Sequence, residues 1–228
     1  MNFGKHIYDF YLNINPPDFR LKGFEVMLPF ETDEVREINR EFYERYYSDN
    51  HKRIFLIGIN PGRFGGGVTG IPFTDPINLE EVLGIRNSFN KKHELSSQFV
   101  YAVIQQSAGP KLFFGSLFLT AVSPLGFVKD NKNINYYDIK KLREEWESFF
   151  VDSLKRQLKA GGNTTVAFIL GQGENSKYLK YLNDKYGFFE SLIPLPHPRW
   201  VMQYRYKRRE EYVNLYVKSL RPYLGKQK

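Results

Sequence analysis

The sequence predicts an α/β protein, a three-layer α/β/α sandwich whose central sheet has four mostly parallel strands. Short apolar runs that indicate buried strands alternate along the chain with longer segments of helical periodicity. Strands separated by helices are joined by crossovers and form a parallel sheet that is covered on both faces. Each predicted strand also runs into a loop that contains Pro or Gly, and these loops should meet at one edge of the sheet.

The individual elements are assigned from periodicity and from the residues that end them. Gly109-Pro110 and Gly161-Gly162-Asn163 are typical helix terminators. The longest predicted helix has one apolar face, formed by Leu142, Trp146, Phe149, Phe150, Leu154 and Leu158. In chain order the predicted elements are a charged helix over 33–47, a strand over 53–59, a helix over 94–107, a strand over 117–122, the long helix over 136–160, a strand over 165–170, a helix over 176–186, a strand over 191–195 and a helix over 209–220.

The length fits a single domain, and the composition fits either a nucleic-acid-binding protein or an ordinary soluble protein. We assign residues 1–228 to a single domain, with residues 1–50 as a helical N-terminal extension packed on it. A hydrophobic content of 42% is enough for a full core. The 33 basic residues exceed the 25 acidic ones, and the net charge of +8 favours a polyanionic partner about as much as plain solubility. The aromatic content of 17% suits base stacking or an aromatic core.

Composition also excludes several kinds of site. The chain has no Cys, and therefore no disulfide, no thiolate nucleophile and no cysteine-held zinc or iron–sulfur cluster. The four His residues include no pair at helical spacing, so we expect no metal and no other cofactor. Neither a signal pattern nor an apolar run of membrane-spanning length occurs, and we expect a cytoplasmic protein without a membrane partner.

The stretch from Gly58 to Phe73 carries the most specific signal. Asn60 lies where the apolar strand ends and a loop with five glycines begins, which is where open α/β sheets bind ligands. Glycines let the backbone approach a flat or anionic group closely, and Phe64 and Phe73 offer faces for stacking. An amide, two aromatic rings and bare backbone predict a pocket for a planar heterocycle.

A second signal follows the last strand, in Pro194–Trp200. His197 stands at the end of that strand between two prolines that restrict its backbone. A lone histidine is more often structural, but near Asn60 an imidazole would stabilise an anion that leaves the site. In the segment Arg199–Arg209 basic residues alternate with Trp and Tyr, which suits phosphate binding beside a wedging side chain as well as an ordinary helix surface.

Together these motifs resemble the uracil-DNA glycosylase superfamily, most closely its single-strand-selective monofunctional (SMUG-type) branch. The family's first motif reads Gly-Met-Asn-Pro-Gly-Pro-Phe-Gly and then Thr-Gly-Val-Pro-Phe-Gly, and Gly58–Gly65 and Thr69–Thr74 match it at the same spacing. The second motif, His-Pro-Ser-Pro-Arg, is shortened here to His197-Pro198-Arg199. The segment Phe118–Leu125 is similar to the family's base-recognition strand, and the resemblance extends over residues 50–210.

The resemblance implies a monofunctional DNA glycosylase of base excision repair, which flips a base out of DNA and hydrolyses its N-glycosidic bond. Asn60 would position the attacking water, and His197 would stabilise the departing uracil anion. No Lys lies in either motif to serve as the nucleophile of a lyase step. We expect uracil, with 5-hydroxymethyluracil as a further substrate, in single- or double-stranded DNA, and a monomeric enzyme.

The resemblance and the basic segment together predict the contact residues. Phe73 would stack on the base, Gly62–Phe64 would contact its edge, and Gly66 would leave room at the pyrimidine 5-position. The expected base-binding residues are Gly58, Ile59, Pro61, Gly62, Arg63, Phe64, Gly66, Phe73, Thr120, Ala121 and Ser123. The expected DNA-binding residues are Arg199, Trp200, Met202, Tyr204, Arg205, Lys207 and Arg208, of which the first four are candidates for the wedge.

Departures from the family pattern leave other functions open. Ala121 stands where the family usually has an Asn that recognises uracil, so Thr120, Ser123 or the backbone would replace it. Alternatively, the protein would be a mismatch-type glycosylase or one that removes a deaminated purine, hypoxanthine or xanthine. A non-enzymatic nucleic-acid-binding protein on the same scaffold is another alternative. A phosphate cradle fits poorly, because the glycine-rich loop lacks the Gly-Lys-Ser/Thr ending of a P-loop and prolines follow it.

Overall fold

The computed structural model describes residues 2–225 and contains two sheets. The strands are β1 (Phe24–Met27), β2 (Arg53–Gly58), β3 (Leu117–Ala121), β4 (Gly126–Lys129), β5 (Lys132–Ile134), β6 (Gly162–Leu170) and β7 (Ser191–Leu195). The central sheet is parallel throughout, in the order β3-β2-β6-β7. Every residue of β2 and β3 is buried, so both faces of the sheet are covered. The predicted fold class is confirmed.

The second sheet is antiparallel and was not predicted. Strand β1 pairs with β4, and β4 pairs with β5 across a tight hairpin turn. Asp130 and Asn131, at the tip of this turn, both have positive φ angles, of 48° and 61°. Two such residues in succession form the turn that matches the twist of a two-residue hairpin. Because β1 comes from the first 50 residues, the N-terminal region contributes a strand as well as helices.

The helices largely follow the apolar periodicity of the sequence. They are α1 (Phe3–Leu12), α2 (Asp33–Tyr46), α3 (Gly66–Thr69), α4 (Pro76–Glu81), α5 (Leu95–Gln106), α6 (Pro110–Ser116), α7 (Lys140–Glu145), α8 (Glu147–Lys159), α9 (Glu174–Tyr186), α10 (Pro198–Tyr204) and α11 (Arg209–Leu220). Helices α2, α5, α9 and α11 agree with the prediction within two residues. None of the helices in the described part of the chain is both long and apolar enough to cross a membrane.

The long helix predicted over 136–160 is wrong in two respects. The chain breaks at Trp146, with φ −99° and ψ 0°, and so forms α7 and α8 in place of one helix. Leu142, Trp146 and Phe150 are all buried, so the apolar periodicity continues through the break. The sequence pattern therefore predicts one uninterrupted helix. Tyr136 precedes both helices and lies in a turn closed by the Asp138 N–H and the Asn135 carbonyl, so its own N–H is free of helical hydrogen bonds.

Helices from both ends of the chain cover the sheet. Helix α1 packs against α2 and α8, and α5 packs against α10 and α11. The fully buried guanidinium of Arg53, at the start of β2, is held by the Asp49 carboxylate, with Nη1–Oδ1 and Nη2–Oδ2 distances of 2.6 and 2.8 Å. Such a bidentate pair satisfies a buried charge and fixes the beginning of the strand that carries the site at its other end.

Candidate active site

The loops after β2, β3 and β7 meet at the carboxyl edge of the central sheet, as predicted. They enclose a cavity of about 40 Å³, lined by Asn60, Pro61, Gly62, Pro72, Phe73, Glu94, Ser96, Ala121 and His197. A cleft of about 540 Å³ adjoins it and shares His197, and the loop Gly171–Gly173 forms part of its wall. Within residues 2–225, no group of three or more His, Asp or Glu side chains is arranged to hold a metal ion.

The Asn60 side chain is fixed by the backbone around it. Its Oδ1 accepts a hydrogen bond from the Tyr136 N–H at 3.1 Å. Its Nδ2 donates to the carbonyl oxygens of Ile134 at 3.2 Å and Pro61 at 3.3 Å. These bonds assign the oxygen and nitrogen of the amide and leave a second lone pair on Oδ1 for another donor. The amide is therefore held in one orientation, with one acceptor position open to a further donor.

The backbone segment that bonds the Asn60 side chain, residues 134–136, directly continues the unpredicted β4–β5 hairpin. Ile134 ends β5, and Tyr136 follows two residues later. Asn133, on the same strand, accepts a hydrogen bond from the Arg63 N–H through Oδ1 at 3.2 Å. The small sheet thus supports the glycine-rich loop from one side. The Asp130-Asn131 pair is the sequence signal that could have revealed it, since both residue types tolerate positive φ.

His197 is placed as a neutral hydrogen-bond donor. It caps α10, and its Nδ1 accepts a hydrogen bond from the Arg199 N–H at 3.2 Å. In the neutral ring the proton is therefore on Nε2. Burial, and secondarily the charge of Arg199, lowers the pKa of His197 to about 4. At neutral pH the site offers an uncharged N–H rather than an imidazolium.

Phe73 forms a rigid wall of the cavity. Its φ of 57° is rare for an aromatic residue and costs on the order of 1–3 kcal/mol. The strained turn is held by two hydroxyls: Thr69 Oγ1 donates to the Thr74 carbonyl at 2.8 Å, and Thr74 Oγ1 donates to the Pro72 carbonyl at 3.2 Å. The ring lies directly over Gly58, where a side chain would collide with it. The Thr-Gly-Ile-Pro-Phe-Thr motif thus forms a turn that fixes the Phe73 ring against the cavity.

Glu94 lines the same cavity and was missed by the sequence analysis. A Cβ atom added at Gly62 or Gly65 would overlap its carboxyl oxygens, so these glycines make room for it. Burial, and then the charge of Asp75, raises the pKa of Glu94 to about 7, against an opposing effect of Arg199. A carboxyl group against the glycine-rich loop also opposes a phosphate cradle there. In the sequence Glu94 is simply the polar residue that precedes a predicted helix. Its contact with the glycine-rich loop is visible only in the tertiary structure.

Several predicted base-binding residues lie outside the cavity lining. The Thr120 hydroxyl donates to Gln157 Oε1 at 2.6 Å, and the Ser123 hydroxyl donates to the Leu125 carbonyl at 2.7 Å. Both are engaged elsewhere and do not replace an amide at position 121. The space beside Gly66 is filled as well, since a Cβ there would lie 3.0 Å from the Ile71 carbonyl oxygen.

The other predicted contacts of this loop lie at its periphery. Ile59 lines the larger cleft rather than the cavity. Arg63 is half-buried, and its guanidinium lies 4.7 Å from the Phe64 ring centre. Lys92 covers the same ring, with Nζ at 3.9 Å. Phe64 therefore stacks with cations of the protein itself, and of the predicted contacts from Pro61 to Phe64 the cavity is lined by Pro61 and Gly62.

Three of the predicted DNA-binding residues line the cleft, and the others lie outside it on α10 or after it. Arg199, Trp200 and Tyr204 line the cleft, and the two rings are 38% and 60% exposed. Met202 is partly buried against the core and does not line the cleft. The Arg205 guanidinium lies 4.9 Å from the Trp200 ring centre. Lys207 and Arg208 are exposed, and Arg208 forms an ion pair of 2.7 Å with Glu211.

Comparison with known proteins agrees with this geometry. The family model of the uracil DNA glycosylase superfamily matches residues 44–221. The chain belongs to this superfamily. Among solved structures it is similar to wild-type SMUG2 of Pedobacter heparinus, with 36% identity, a TM-score of 0.94 and coverage of 97% of this chain and 98% of that one. No match was found among curated proteins. The superfamily member described here is a DNA glycosylase, a hydrolase whose family indicates DNA as its partner.

Proposed function

We propose that this glycosylase excises uracil from DNA by a monofunctional mechanism in base excision repair. The observation that carries the proposal is the convergence of three prepared groups on one cavity: the fixed amide of Asn60, the neutral imidazole of His197 and the rigid ring of Phe73. An anchored amide, a neutral N–H donor and a flat apolar wall suit hydrolysis of a bond to a planar base.

Base flipping precedes the reaction in this proposal. The cavity of about 40 Å³ has room for only a few waters, so its lining must move when a base enters. Arg199 in the cleft, together with the exposed Arg205 and Lys207 that follow α10, would hold the DNA backbone. The exposed Trp200 and Tyr204 are the aromatic candidates for wedging into the stack. Met202 is a weaker candidate because it is partly buried against the core.

The chemistry then depends on departure of the base. The C1′–N1 bond breaks, and its electron pair leaves with uracil as an anion. The Nε2–H of His197 donates to a carbonyl oxygen of that anion, and its effect needs no protonated imidazole. Water held by Asn60 Oδ1 adds to C1′ and loses a proton to solvent. A neutral amide is too weak a base to drive attack, so Asn60 contributes by orienting the water.

One observation favours a second substrate class. Ala121 lines the cavity with a methyl group, where the family usually places an amide that recognises uracil. A site without that amide is less selective for a pyrimidine, and deaminated purines are the alternative substrates. Gly66 does not line the cavity, so it gives no support to 5-hydroxymethyluracil as a further substrate. We further propose that the enzyme acts as a cytoplasmic monomer.

A strand-cleavage assay with purified protein tests this proposal. Single-stranded and duplex oligonucleotides would carry uracil, 5-hydroxymethyluracil, hypoxanthine or xanthine, with alkaline cleavage revealing abasic sites. We expect cleavage at uracil that depends on alkali, as a monofunctional enzyme requires. Cleavage only at purine lesions would redirect the assignment to that class, and DNA binding with no cleavage at any lesion would refute it.

A further inference from the structure

We propose that Glu94 contacts the flipped base and recognises it as a carboxylic acid, donating a hydrogen bond from its O–H and accepting one at its carbonyl oxygen. The inference rests on the proposed function and adds a base-recognising residue to it. A neutral carboxyl presents a donor beside an acceptor, as an Asn amide does. The lactam edge of a deaminated base presents the complementary pair, a carbonyl oxygen beside a ring N–H.

The position of the carboxyl group supports this role. Glu94 precedes α5, yet its side chain makes no capping hydrogen bond to that helix. Its backbone N–H is anchored on Asp75 Oδ2 at 2.9 Å, and its carboxyl oxygens point to the glycine-rich loop beside Asn60. No hydrogen bond or ion pair to this carboxyl group is present among the described residues. Neither oxygen is among the buried side-chain atoms that lack a partner, so the tip of Glu94 is open to the cavity and available to a ligand.

The other polar groups of the cavity are already committed. Asn60 is bonded to the backbone, and His197 faces the departing anion in the proposed mechanism. The hydroxyls near Ala121 are engaged with Gln157 and the Leu125 carbonyl. Ser96 adds one hydroxyl to the lining. Glu94 is therefore the side chain best able to supply the paired donor and acceptor that Ala121 lacks.

Burial is the main reason that the pKa of Glu94 is raised, and the charges around the carboxyl group act after it. The buried Asp75 carboxylate favours the neutral acid, and Arg199 opposes it. The nearby titratable or cationic groups are Lys92, which lies over Phe64, His93, which lies 3.8 Å from Asp75, and His197, which is neutral above about pH 4. With its pKa near 7, Glu94 is a donor below that pH and a carboxylate above it. The carboxylate would repel both the base oxygens and the departing anion.

The test is the pH profile of uracil excision, measured under single-turnover conditions between pH 5.5 and 8.5. We expect the wild-type rate to fall as pH rises through about 7, up to tenfold per unit. Glu94→Gln retains an N–H donor at every pH, so its profile should be flat and its rate near wild type at pH 6. Glu94→Ala should be slower at every pH, by about 10- to 100-fold. Glu190→Gln, at an exposed site before β7, is the matched control.

A binding measurement separates this inference from the proposed function. Affinity for a duplex with a non-cleavable 2′-fluoro-deoxyuridine would be measured over the same pH range. Wild-type affinity should weaken above pH 7, and Glu94→Gln affinity should not. If wild type released no uracil but showed this difference in binding, the proposed function would fail and the Glu94 contact would stand. If Glu94→Gln kept the wild-type pH dependence of rate and affinity, the Glu94 contact would be refuted.

Discussion

Substitution of Gly58 by Ala tests whether the placement of Phe73 controls catalysis. A Cβ atom at position 58 would lie 2.8 Å from Phe73 Cε2 and closer still to Cζ. Carbon atoms pack at roughly 3.5–4.0 Å, so the ring must shift by roughly 1 Å. It has little freedom to do so, because the Phe73 backbone is already held in the left-handed region by Thr69 and Thr74.

The size of the effect follows from that displacement. A shift of about 1 Å in a positioning group costs up to about 10²-fold in rate. Overpacking of this kind destabilises a fold by about 1–3 kcal/mol. We therefore expect Gly58→Ala to lose 10- to 100-fold in single-turnover uracil excision, measured at a temperature at which a thermal melt shows it folded.

A double-substitution cycle identifies the cause. Phe73→Ala removes the ring, and Gly58→Ala in that background has nothing left to displace. The second substitution should then add less than twofold to the loss, although the two changes made separately both impair excision. Wild-type activity of Gly58→Ala, or fully additive losses, would refute the idea that the ring over Gly58 forms the base-stacking wall.

Three further predictions concern the other parts of the site. His197→Ala should slow excision by about 10²–10³-fold with little change in DNA affinity, and an equal loss of affinity would make His197 a binding residue instead. Replacing Arg205 and Lys207 by Ala should weaken DNA binding and lower its salt dependence by about one unit per lost phosphate contact, whereas Arg208→Ala should change it less because an ion pair balances that charge. Ala121→Asn should overpack a cavity of about 40 Å³ and lower both the melting temperature and uracil excision, and faster excision would show that the missing amide limits the rate.

The central sheet and most of its helices could be predicted because their signals are local. Strand β2 is a continuous apolar run, and α11 agrees with the prediction at both ends. The break at Trp146 could not be predicted, since the buried face continues through it. Strands β4 and β5 form a local hairpin, but they are short, and β1 joins them only by pairing across about 100 residues of sequence.

The meeting of Asn60 and His197 at one edge of the sheet could be predicted, but the groups that hold Asn60 in place could not. Asn60 and His197 follow marked strand ends, which is why the sequence places them together. The backbone groups that orient Asn60 come from residues 134–136, and no sequence pattern encodes a hydrogen bond between such distant segments. Glu94 was missed for the same reason. Thr120 and Ser123 carry hydroxyls that could in principle bond a base. Both hydroxyls instead donate hydrogen bonds within the protein, to partners that the sequence does not reveal.

The central claim is that the anchored Asn60 amide orients the water that completes base removal. The most direct test compares wild type and Asn60→Ala on one uracil-containing duplex, measuring both the single-turnover release of free uracil and the dissociation constant. Loss of the water-orienting amide should slow release by about 10²–10⁴-fold while the affinity stays within a few fold. Uracil release by Asn60→Ala at the wild-type rate would contradict the account.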